Sequence, residues 1–310
     1  MIDLYHLRIF VRICELHSFT QAAVAVGVAQ PTVSRIVKDL ERTWGAQLFY
    51  RTGRGVTLSE FGEVALARAQ ALLNEADQLG DDLRAHSGVP TGTVSLGVSP
   101  SLAPILVPEL VNLLRRDAPG IRLRIREGFS DQIERWRSAG AVDVGVTSHF
   151  RELGPDGQNG ESAVLFASNL VLVAPPGAPP LPPRIPFSDL AGYPLALPAQ
   201  PNGLRAIFED VARRKAMALD VTIETSSLVV QKELCDHCGC YLVKAPETIA
   251  EEFPPDSSRT GVIIDPTIQR YLQLATTTQR PLSRAAREVA NRMSAILKRL
   301  SSGVPISPKA

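Results

Sequence analysis

Residues 30–42 carry polar side chains of the types that bind a DNA duplex. Amide, hydroxyl and cationic groups recur on one side of this segment, at Gln30, Thr32, Ser34, Arg35, Lys38 and Arg42. In a major groove, an arginine can bind guanine and a glutamine can bind adenine through paired hydrogen bonds. We therefore expect Arg35 and Gln30 to contact bases, and Lys38 and Arg42 to contact phosphates. A helical pair with a merely solvated polar face is the alternative.

Two short helices joined by a tight turn are predicted to present this polar face. Ser18 and Gln21 have the spacing of a capping box, and Gly27 can end the helix that they open. The second helix accommodates Pro31 in its first turn. Its buried side is predicted to comprise Val33, Val37 and Leu40. This arrangement is typical of a helix-turn-helix, whose second helix enters the major groove.

A glycine-containing turn follows the second helix, at Arg51-Thr52-Gly53-Arg54-Gly55-Val56. Two arginines on a turn between short extended segments predict a wing that could lie along the minor groove or the DNA backbone. An ordinary β-hairpin tip is the alternative.

The charge and composition exclude several classes of protein. With 310 residues, 45% of them hydrophobic and 21% charged, the chain is expected to form two or three globular domains rather than a disordered or disulfide-rich protein. Residues 1–58 carry seven basic and four acidic side chains, a local net charge of +3, although the whole chain sums to only +1. The chain has neither a membrane-length apolar segment nor a signal-peptide pattern, so we expect a cytoplasmic protein that does not contact membranes.

Several short segments resemble one protein family in their order and spacing. They are His6-Leu7-Arg8-Ile9-Phe10, Ser18-Phe19-Thr20-Gln21-Ala22-Ala23, Ala29-Gln30-Pro31-Thr32-Val33-Ser34-Arg35, Leu40-Glu41, Leu48-Phe49, Arg51-Thr52 and Val56-Thr57-Leu58-Ser59. Together they resemble the LysR-type transcriptional regulators, over the whole chain and most strongly through residue 60. The resemblance implies a winged helix-turn-helix that binds double-stranded promoter DNA. It implies recognition positions at Gln30, Pro31, Thr32, Ser34 and Arg35, with Arg51, Thr52 and Arg54 in the wing.

A long amphipathic helix is predicted from Ser59 to about Ala85, because apolar residues recur there every three or four positions without a proline. Its apolar stripe needs a partner, and packing on its own domain is one possibility. The resemblance implies instead that it pairs with its copy in a second subunit, giving a dimer or a tetramer that reads two half-sites. Residues 87–92 then form a predicted hinge.

From Val94 onward, strands alternate with helices, which predicts an α/β fold. One strand is expected over 164–174, and the seven prolines between Pro175 and Pro186 are expected to form an exposed connection. The resemblance implies a two-lobed, periplasmic-binding-protein-like domain whose chain crosses between lobes near residues 166 and 274. The expected domains are residues 1–60 for DNA binding, 59–88 for dimerisation and 91–310 for effector binding. Lobe I takes 91–166 and 275–300, and lobe II takes 167–274.

Polar residues at strand ends and at one helix N-terminus predict a ligand site between the lobes. They are Ser99, Ser101, Gly128, Thr147 and Ser148 in lobe I, and Asn202, Gly203, Leu204 and Arg205 in lobe II. The bare amides of the helix that opens at Asn202, aided by Arg205, favour an anion such as a carboxylate. Tyr241 and Lys244 depart from the small apolar residues that the family carries there, so the resemblance does not identify the effector.

Three cysteines lie close together at Cys235, Cys238 and Cys240, with His237 between them. Four ligands in so short a segment would strain tetrahedral zinc, so we expect no metal site. Buried, inert thiols are the favoured interpretation. A thiol redox switch is the alternative, and it would need a lowered thiolate pKa near His237.

The combined prediction is a promoter-bound LysR-type regulator controlled by a small organic, anionic effector. Its expected partners are DNA, the effector, further copies of itself and RNA polymerase, without a cofactor. The rival is an enzyme or a solute receptor built from the α/β half. The sequence has no nucleophile elbow, phosphate loop or dinucleotide fingerprint, so we assign no catalytic residue.

Overall fold

Three modules follow one another in the computed structural model, which describes residues 3–52, 55–84, 90–153, 165–250 and 257–301. The first module contains α1 (Leu4–Leu16), α2 (Phe19–Val26), α3 (Gln30–Trp44) and the hairpin strands β1 (Phe49–Thr52) and β2 (Gly55–Leu58). The Ser18 hydroxyl accepts a hydrogen bond from the Gln21 amide at 3.2 Å, and Gly27 ends α2 with a φ of +71°. The predicted winged helix-turn-helix is confirmed.

The core of this module fixes the orientation of α3. Val33, Val37 and Leu40 are buried, as predicted, and they pack in one cluster with Phe10 and Leu48. Anchoring these apolar residues leaves the opposite side of α3 exposed to solvent.

The second module is the helix α4 (Glu60–Arg84). Ser59 caps it, since its hydroxyl accepts from the Gly62 amide at 2.9 Å. A side chain at Gly62 would clash with the chain, because a Cβ there would lie 2.2 Å from the Leu48 carbonyl oxygen. The predicted hinge at 87–92 falls largely outside the described residues, which omit 85–89.

The third module alternates strands and helices. In chain order they are β3 (Gly92–Val98), α5 (Ala103–Asp117), β4 (Ile121–Glu127), α6 (Ser130–Ser138), β5 (Val144–Glu152), β6 (Phe166–Asn169), β7 (Val171–Val173), β8 (Arg184–Pro186), β9 (Leu195–Leu197), α7 (Gly203–Arg214), β10 (Val221–Glu224), α8 (Leu228–Cys238), β11 (Tyr241–Lys244), β12 (Thr260–Ile264), β13 (Ile268–Thr276) and α9 (Arg284–Ser301). Short 3-10 helices span Phe187–Gly192 and Pro246–Thr248.

These elements form two lobes, each built on its own sheet. Lobe I has five strands in the order β4-β3-β5-β13-β6, and lobe II has six in the order β10-β9-β11-β7-β12-β8. The C-terminal helix α9 returns to lobe I, where Val289 and Met293 are fully buried in the core. The predicted two-lobed α/β fold is confirmed. No helix within the described ranges has the length and apolarity that a membrane span requires.

The predicted crossing points between the lobes were wrong. The single strand expected over 164–174 is two strands, because β6 pairs with β13 in lobe I and β7 pairs with β11 and β12 in lobe II. The second crossing precedes Ile268, since β13 pairs along its whole length with β5. The chain therefore crosses at Leu170 and at residues 265–267, not near 166 and 274.

Two further predictions about strands need correction. The proline-rich connection contains β8, an edge strand on β12, where the missing amide of Pro186 is tolerated. Thr147 and Ser148 lie within β5 rather than after it, because that strand continues to Glu152. Its pairing with β13 explains the extra length.

The helix α4 is attached to lobe I by two arginines. Arg280 contacts Glu75 of α4 at 3.0 Å and Asp143 at 2.7 Å. Arg126 donates to the Gln70 side chain at 2.6 Å, and its guanidinium lies 4.5 Å from the centre of the Trp136 ring. These contacts join the second and third modules.

Candidate functional site

The outward side of α3 carries the polar residues that the sequence singles out. Gln30, Arg35, Lys38 and Arg42 are exposed, while Thr32 and Ser34 are half-buried. The Gln30 amide donates to the Ser34 hydroxyl at 2.9 Å. Arg42 forms an ion pair with Asp39 at 2.7 Å, on the same helix. Pro31 is exposed in the first turn. The face thus presents amide, hydroxyl and cationic groups together.

The wing lies beside this helix. Arg51 and Thr52 end β1, where they pair with Val56 and Gly55 of β2. The third predicted wing residue, Arg54, lies outside the described residues.

A depression of about 280 Å³ separates α3 from β1. Ser34 and Lys38 line it on the helix side, and Tyr50 lines it on the strand side. Tyr50 is 55% exposed, although no sequence motif singles it out. Its hydroxyl can bind a phosphate, as tyrosines often do in DNA complexes.

The cleft between the lobes encloses a cavity of about 580 Å³. Such a volume suits a small organic molecule. Predicted residues line it on both sides: Ser99, Ser101 and Ser148 from lobe I, and Asn202, Gly203 and Leu204 from lobe II. The Ser99 and Ser101 hydroxyls lie 3.3 Å apart.

Three predicted effector residues are absent from the residues that line this cavity. Gly128 packs against Trp136, whose ring would lie 2.6 Å from an added Cβ. Thr147 is buried, with its hydroxyl 3.0 Å from the His149 ring nitrogen. Arg205 forms ion pairs with Glu209 at 2.5 Å and Glu224 at 2.8 Å.

The helix α7 also differs from the expectation at its N-terminus. The Asn202 side-chain oxygen accepts from the amides of Leu204 at 3.0 Å and Arg205 at 3.3 Å. The chain itself therefore caps these two amides. The sequence-based expectation that they are bare is wrong.

Arg270 is the main cleft residue that the sequence reasoning missed. It lies on β13, and its side chain is only 4% exposed. Its guanidinium donates to the hydroxyls of Ser101 at 2.9 Å and Ser148 at 2.6 Å, and it contacts Glu247 at 3.4 Å. Burial lowers the pKa of Arg270 from its ordinary value, and the Glu247 carboxylate acts in the opposite direction. A buried cation thus lies directly behind the cleft hydroxyls.

The opposite wall of the cleft carries Lys244 and Gln231. The Lys244 ammonium donates to the Gln231 side-chain oxygen at 2.6 Å. Between these polar groups, the lining is largely apolar and aromatic. Tyr271, for example, stacks on the His149 ring at 5.3 Å.

The cysteines differ in exposure. Cys235, which lines the cleft, and Cys240 are buried, whereas Cys238 is exposed. Burial raises the pKa of Cys235 and of Cys240, although Arg259 opposes this effect at Cys235. Within the described part of the chain, no three His, Cys, Asp or Glu side chains lie close enough together to hold a metal ion. The expectation of buried thiols therefore fits Cys235 and Cys240 but not Cys238.

Comparisons with known proteins agree with this architecture. The family model described as "Bacterial regulatory helix-turn-helix protein, lysR family" matches residues 4–63. The model described as "LysR substrate binding domain" matches residues 87–296. Together they span both functional modules.

Similar full-length proteins extend the match. A "Probable hydrogen peroxide-inducible genes activator" of Mycobacterium avium is 27% identical over 256 residues, or 82% of this chain and 80% of that protein. The transcriptional regulator BbuR of Bordetella bronchiseptica is 24% identical over 252 residues, or 79% of this chain and 75% of that protein.

Solved structures share the fold at low sequence identity. CbnR, a LysR family transcriptional regulator, has a TM-score of 0.61 at 16% identity, over 97% of this chain and 99% of that one. HinK from Pseudomonas aeruginosa has a TM-score of 0.52 at 21% identity, over 97% of this chain and 100% of that one. The LysR family consists of transcriptional regulators rather than enzymes. This chain belongs to it, as a regulator with a DNA-binding helix-turn-helix and an effector-binding domain.

Proposed function

We propose that this regulator binds promoter DNA as a dimer, and that a small organic anion held between its lobes controls that binding. The observation that carries the proposal is the polar end of the cleft. There, the hydroxyls of Ser99 and Ser101 face the cavity and the buried Arg270 lies behind them. An anion at this point would accept hydrogen bonds from the hydroxyls near a compensating positive charge.

The arrangement of α3 supports specific DNA recognition. Gln30, Ser34 and Arg35 lie near the N-terminal end of the helix, the part that contacts bases in helix-turn-helix complexes. Lys38 and Arg42 follow on the exposed side and suit phosphates. Arg51, Thr52 and Arg54 complete the proposed DNA contacts.

The exposed face of α4 supports dimerisation. Phe61, Val64, Leu72 and Leu79 are between 39% and 63% exposed along this helix. A second copy of α4 would cover this apolar stripe, and the two DNA-binding modules would then read two half-sites. Assembly into a tetramer and contact with RNA polymerase belong to the same proposal.

The control by effector requires that the ligand bind one arrangement of the lobes better than another. Ser99, Ser101 and Arg270 belong to lobe I, while Asn202 and Lys244 belong to lobe II. A ligand that contacts both sets would favour a particular separation of the lobes. It could thereby alter the spacing of the DNA-binding modules.

A thermal-shift screen of small carboxylates, amides and aromatic acids tests the effector part of the proposal. A ligand that binds the folded protein raises its unfolding temperature by mass action. We expect acids to give the largest shifts and Ser101→Ala to reduce them. Ser188→Ala, an exposed serine away from the cleft, is the matched control. Acid shifts that are unchanged in Ser101→Ala would contradict the proposed site.

A thiol-based redox sensor is the second candidate function. It is favoured by the similarity to a protein named as a probable hydrogen peroxide-inducible genes activator. The raised pKa values of Cys235 and Cys240 oppose it, because the thiolate is the form that peroxide oxidises. Mass spectrometry of peroxide-treated protein separates the two candidates. Unmodified Cys235, Cys238 and Cys240 would exclude the redox function.

A further inference from the structure

One ion pair crosses from lobe II to the wall of the cleft that carries Ser101 and Ser148. Arg270 lines the cavity, and its guanidinium donates to these two hydroxyls at 2.9 Å and 2.6 Å. Glu247 approaches the same guanidinium from the 3-10 helix that follows β11 in lobe II. The carboxylate of Glu247 thus contacts the cation that an anion in the cleft would reach.

The contact between these two charges is poorly satisfied. Glu247 Oε1 lies 3.4 Å from a guanidinium nitrogen of Arg270, which is longer than an ordinary charge-assisted hydrogen bond. The second carboxylate oxygen of Glu247, Oε2, is buried and has no hydrogen-bond partner among the described residues. A ligand carboxylate that accepts two N–H groups at normal distances would therefore bind this guanidinium better than Glu247 does.

The single positive charge of Arg270 can balance only one carboxylate. The side chains of Arg270 and Glu247 are 4% and 6% exposed, so water screens neither charge well. An anion that pairs with Arg270 would leave Glu247 buried without a counter-charge, and a buried charge without a partner is strongly destabilising. Glu247 would then have to move toward solvent, together with the part of lobe II that carries it.

We infer that Glu247 is an internal competitor of the effector, whose anionic group displaces the Glu247 carboxylate from Arg270. The inference rests on the proposed function, because it describes how an anion at the same serine end acts on the protein. The displacement selects charged ligands, since a neutral amide cannot replace the carboxylate beside Arg270. It also couples binding to movement, because the ion pair that is lost is a contact between the lobes.

Isothermal titration calorimetry on the full-length protein tests the competition. The probes are benzoate and acetate, and their neutral counterparts are benzamide and acetamide. Glu247→Gln keeps the size of the side chain but removes its charge. A competitor that occupies Arg270 in about nine molecules of ten lowers the apparent affinity for an anion about tenfold. We therefore expect Glu247→Gln to bind at least one of the two carboxylates about tenfold more tightly than the unchanged protein does, with the affinity for the amides unchanged.

Three further variants locate the effect. Glu233→Gln, at an exposed carboxylate of α8, is the matched control and should bind as the unchanged protein does. Ser101→Ala combined with Glu247→Gln should reduce the gain in affinity, because the ligand would lack a hydroxyl beside Arg270. Glu247→Asp keeps the charge but shortens the side chain, so it should give a smaller gain in the same direction. It also provides the test if Glu247→Gln does not fold.

The outcomes separate this inference from the proposed function. Equal carboxylate affinity in Glu247→Gln and the unchanged protein, with binding that still depends on Ser101, would overturn the inference alone. A gain that survives Ser101→Ala would also overturn it, because the anion would then bind away from the serines. An equal gain for the amides would do the same, because the substitution would merely have loosened the cleft. A failure of both carboxylates to bind either protein would overturn the proposed function as well.

Discussion

Glu247 and Arg270 form an ion pair that joins the two lobes behind the cleft. The carboxylate oxygen of Glu247 lies 3.4 Å from a guanidinium nitrogen of Arg270, and the side chains are only 6% and 4% exposed. Glu247 belongs to the 3-10 helix after β11, in lobe II, and Arg270 belongs to β13, in lobe I. Opening the lobes would separate two buried charges.

Removing the carboxylate from this pair should destabilise the protein. Glu247→Leu leaves the buried guanidinium of Arg270 without its counter-charge, and we expect the free energy of unfolding to fall by about 3–5 kcal/mol. Glu247→Gln should cost less, because its amide oxygen can still accept a hydrogen bond. Urea denaturation would measure both changes, with Glu233→Gln as a control at an exposed carboxylate. A Glu247→Leu protein as stable as the unchanged one would show that this ion pair contributes nothing to the free energy of unfolding.

Two arginines of α3 should affect DNA binding in different ways. Arg35→Ala should weaken binding by about 1–3 kcal/mol and relax the preference at one base pair. Arg42→Ala should weaken binding to all sequences alike and flatten the salt dependence, because it would remove a proposed phosphate contact. Arg42 is already paired with Asp39, so we expect Arg42→Ala to weaken DNA binding less than Arg35→Ala does.

Fluorescence anisotropy with specific and scrambled duplexes over a range of salt concentrations would separate these effects. Arg213→Ala is a suitable control, since Arg213 is an exposed arginine with an acidic partner on its own helix, in lobe II. Full affinity in both α3 variants would mean that another surface binds the DNA.

Charged substitutions on the exposed stripe of α4 should dissociate the proposed dimer. Val64 and Leu79 are 60% and 63% exposed, and an aspartate at both positions would place charges within the proposed helix pair. Analytical ultracentrifugation should then give a monomer mass. Val24→Asp, at a 79% exposed residue of α2, should leave the mass unchanged. A dimer that persists in the double variant would direct attention to another interface.

The four cysteines should differ in their reactivity toward iodoacetamide at neutral pH. Burial raises the pKa of Cys14 to about 12, so its reactive thiolate becomes abundant only as the pH rises toward that value. Cys235 and Cys240 also have raised pKa values, whereas Cys238 is exposed. We expect Cys238 to be alkylated first, as peptide mass spectrometry would show. Equally rapid labelling of Cys235 would restore the redox interpretation.

The sequence predicts the DNA-binding module well because its signals are local. Ser18, Gly27 and Pro31 mark the ends of helices, and the apolar period of α3 identifies its buried side. The cleft is harder to predict, since its groups come from distant segments. Arg270 and Ser101 are 169 residues apart, yet they share a hydrogen bond.

The sequence does not predict the strand β13, and for this reason Arg270 is not among the predicted cleft residues. Its buried positions alternate with half-buried polar ones such as Gln269 and Gln273, so the segment lacks a continuous apolar run. Assigning it required the pairing with β5, which is a property of the folded sheet. Thr147 and Arg205 do not line the cavity for the complementary reason, because a position near a strand end or helix N-terminus does not determine which way a side chain points. Gly128 carries no side chain, and it packs against Trp136.

The attachment of α4 to lobe I has a consequence for the proposed response to the effector, because it decides which part of the molecule would move. Arg280 and Arg126 hold the helix against one half of the effector-binding domain, so that half and the helix should rotate as a single body. If an effector closes the cleft, as we propose, lobe II would be the part that moves relative to this body. The proposed signal to the promoter would then be a change in the contacts between lobe II and neighbouring subunits. The helix α4, which carries the DNA-binding module, would stay attached to lobe I.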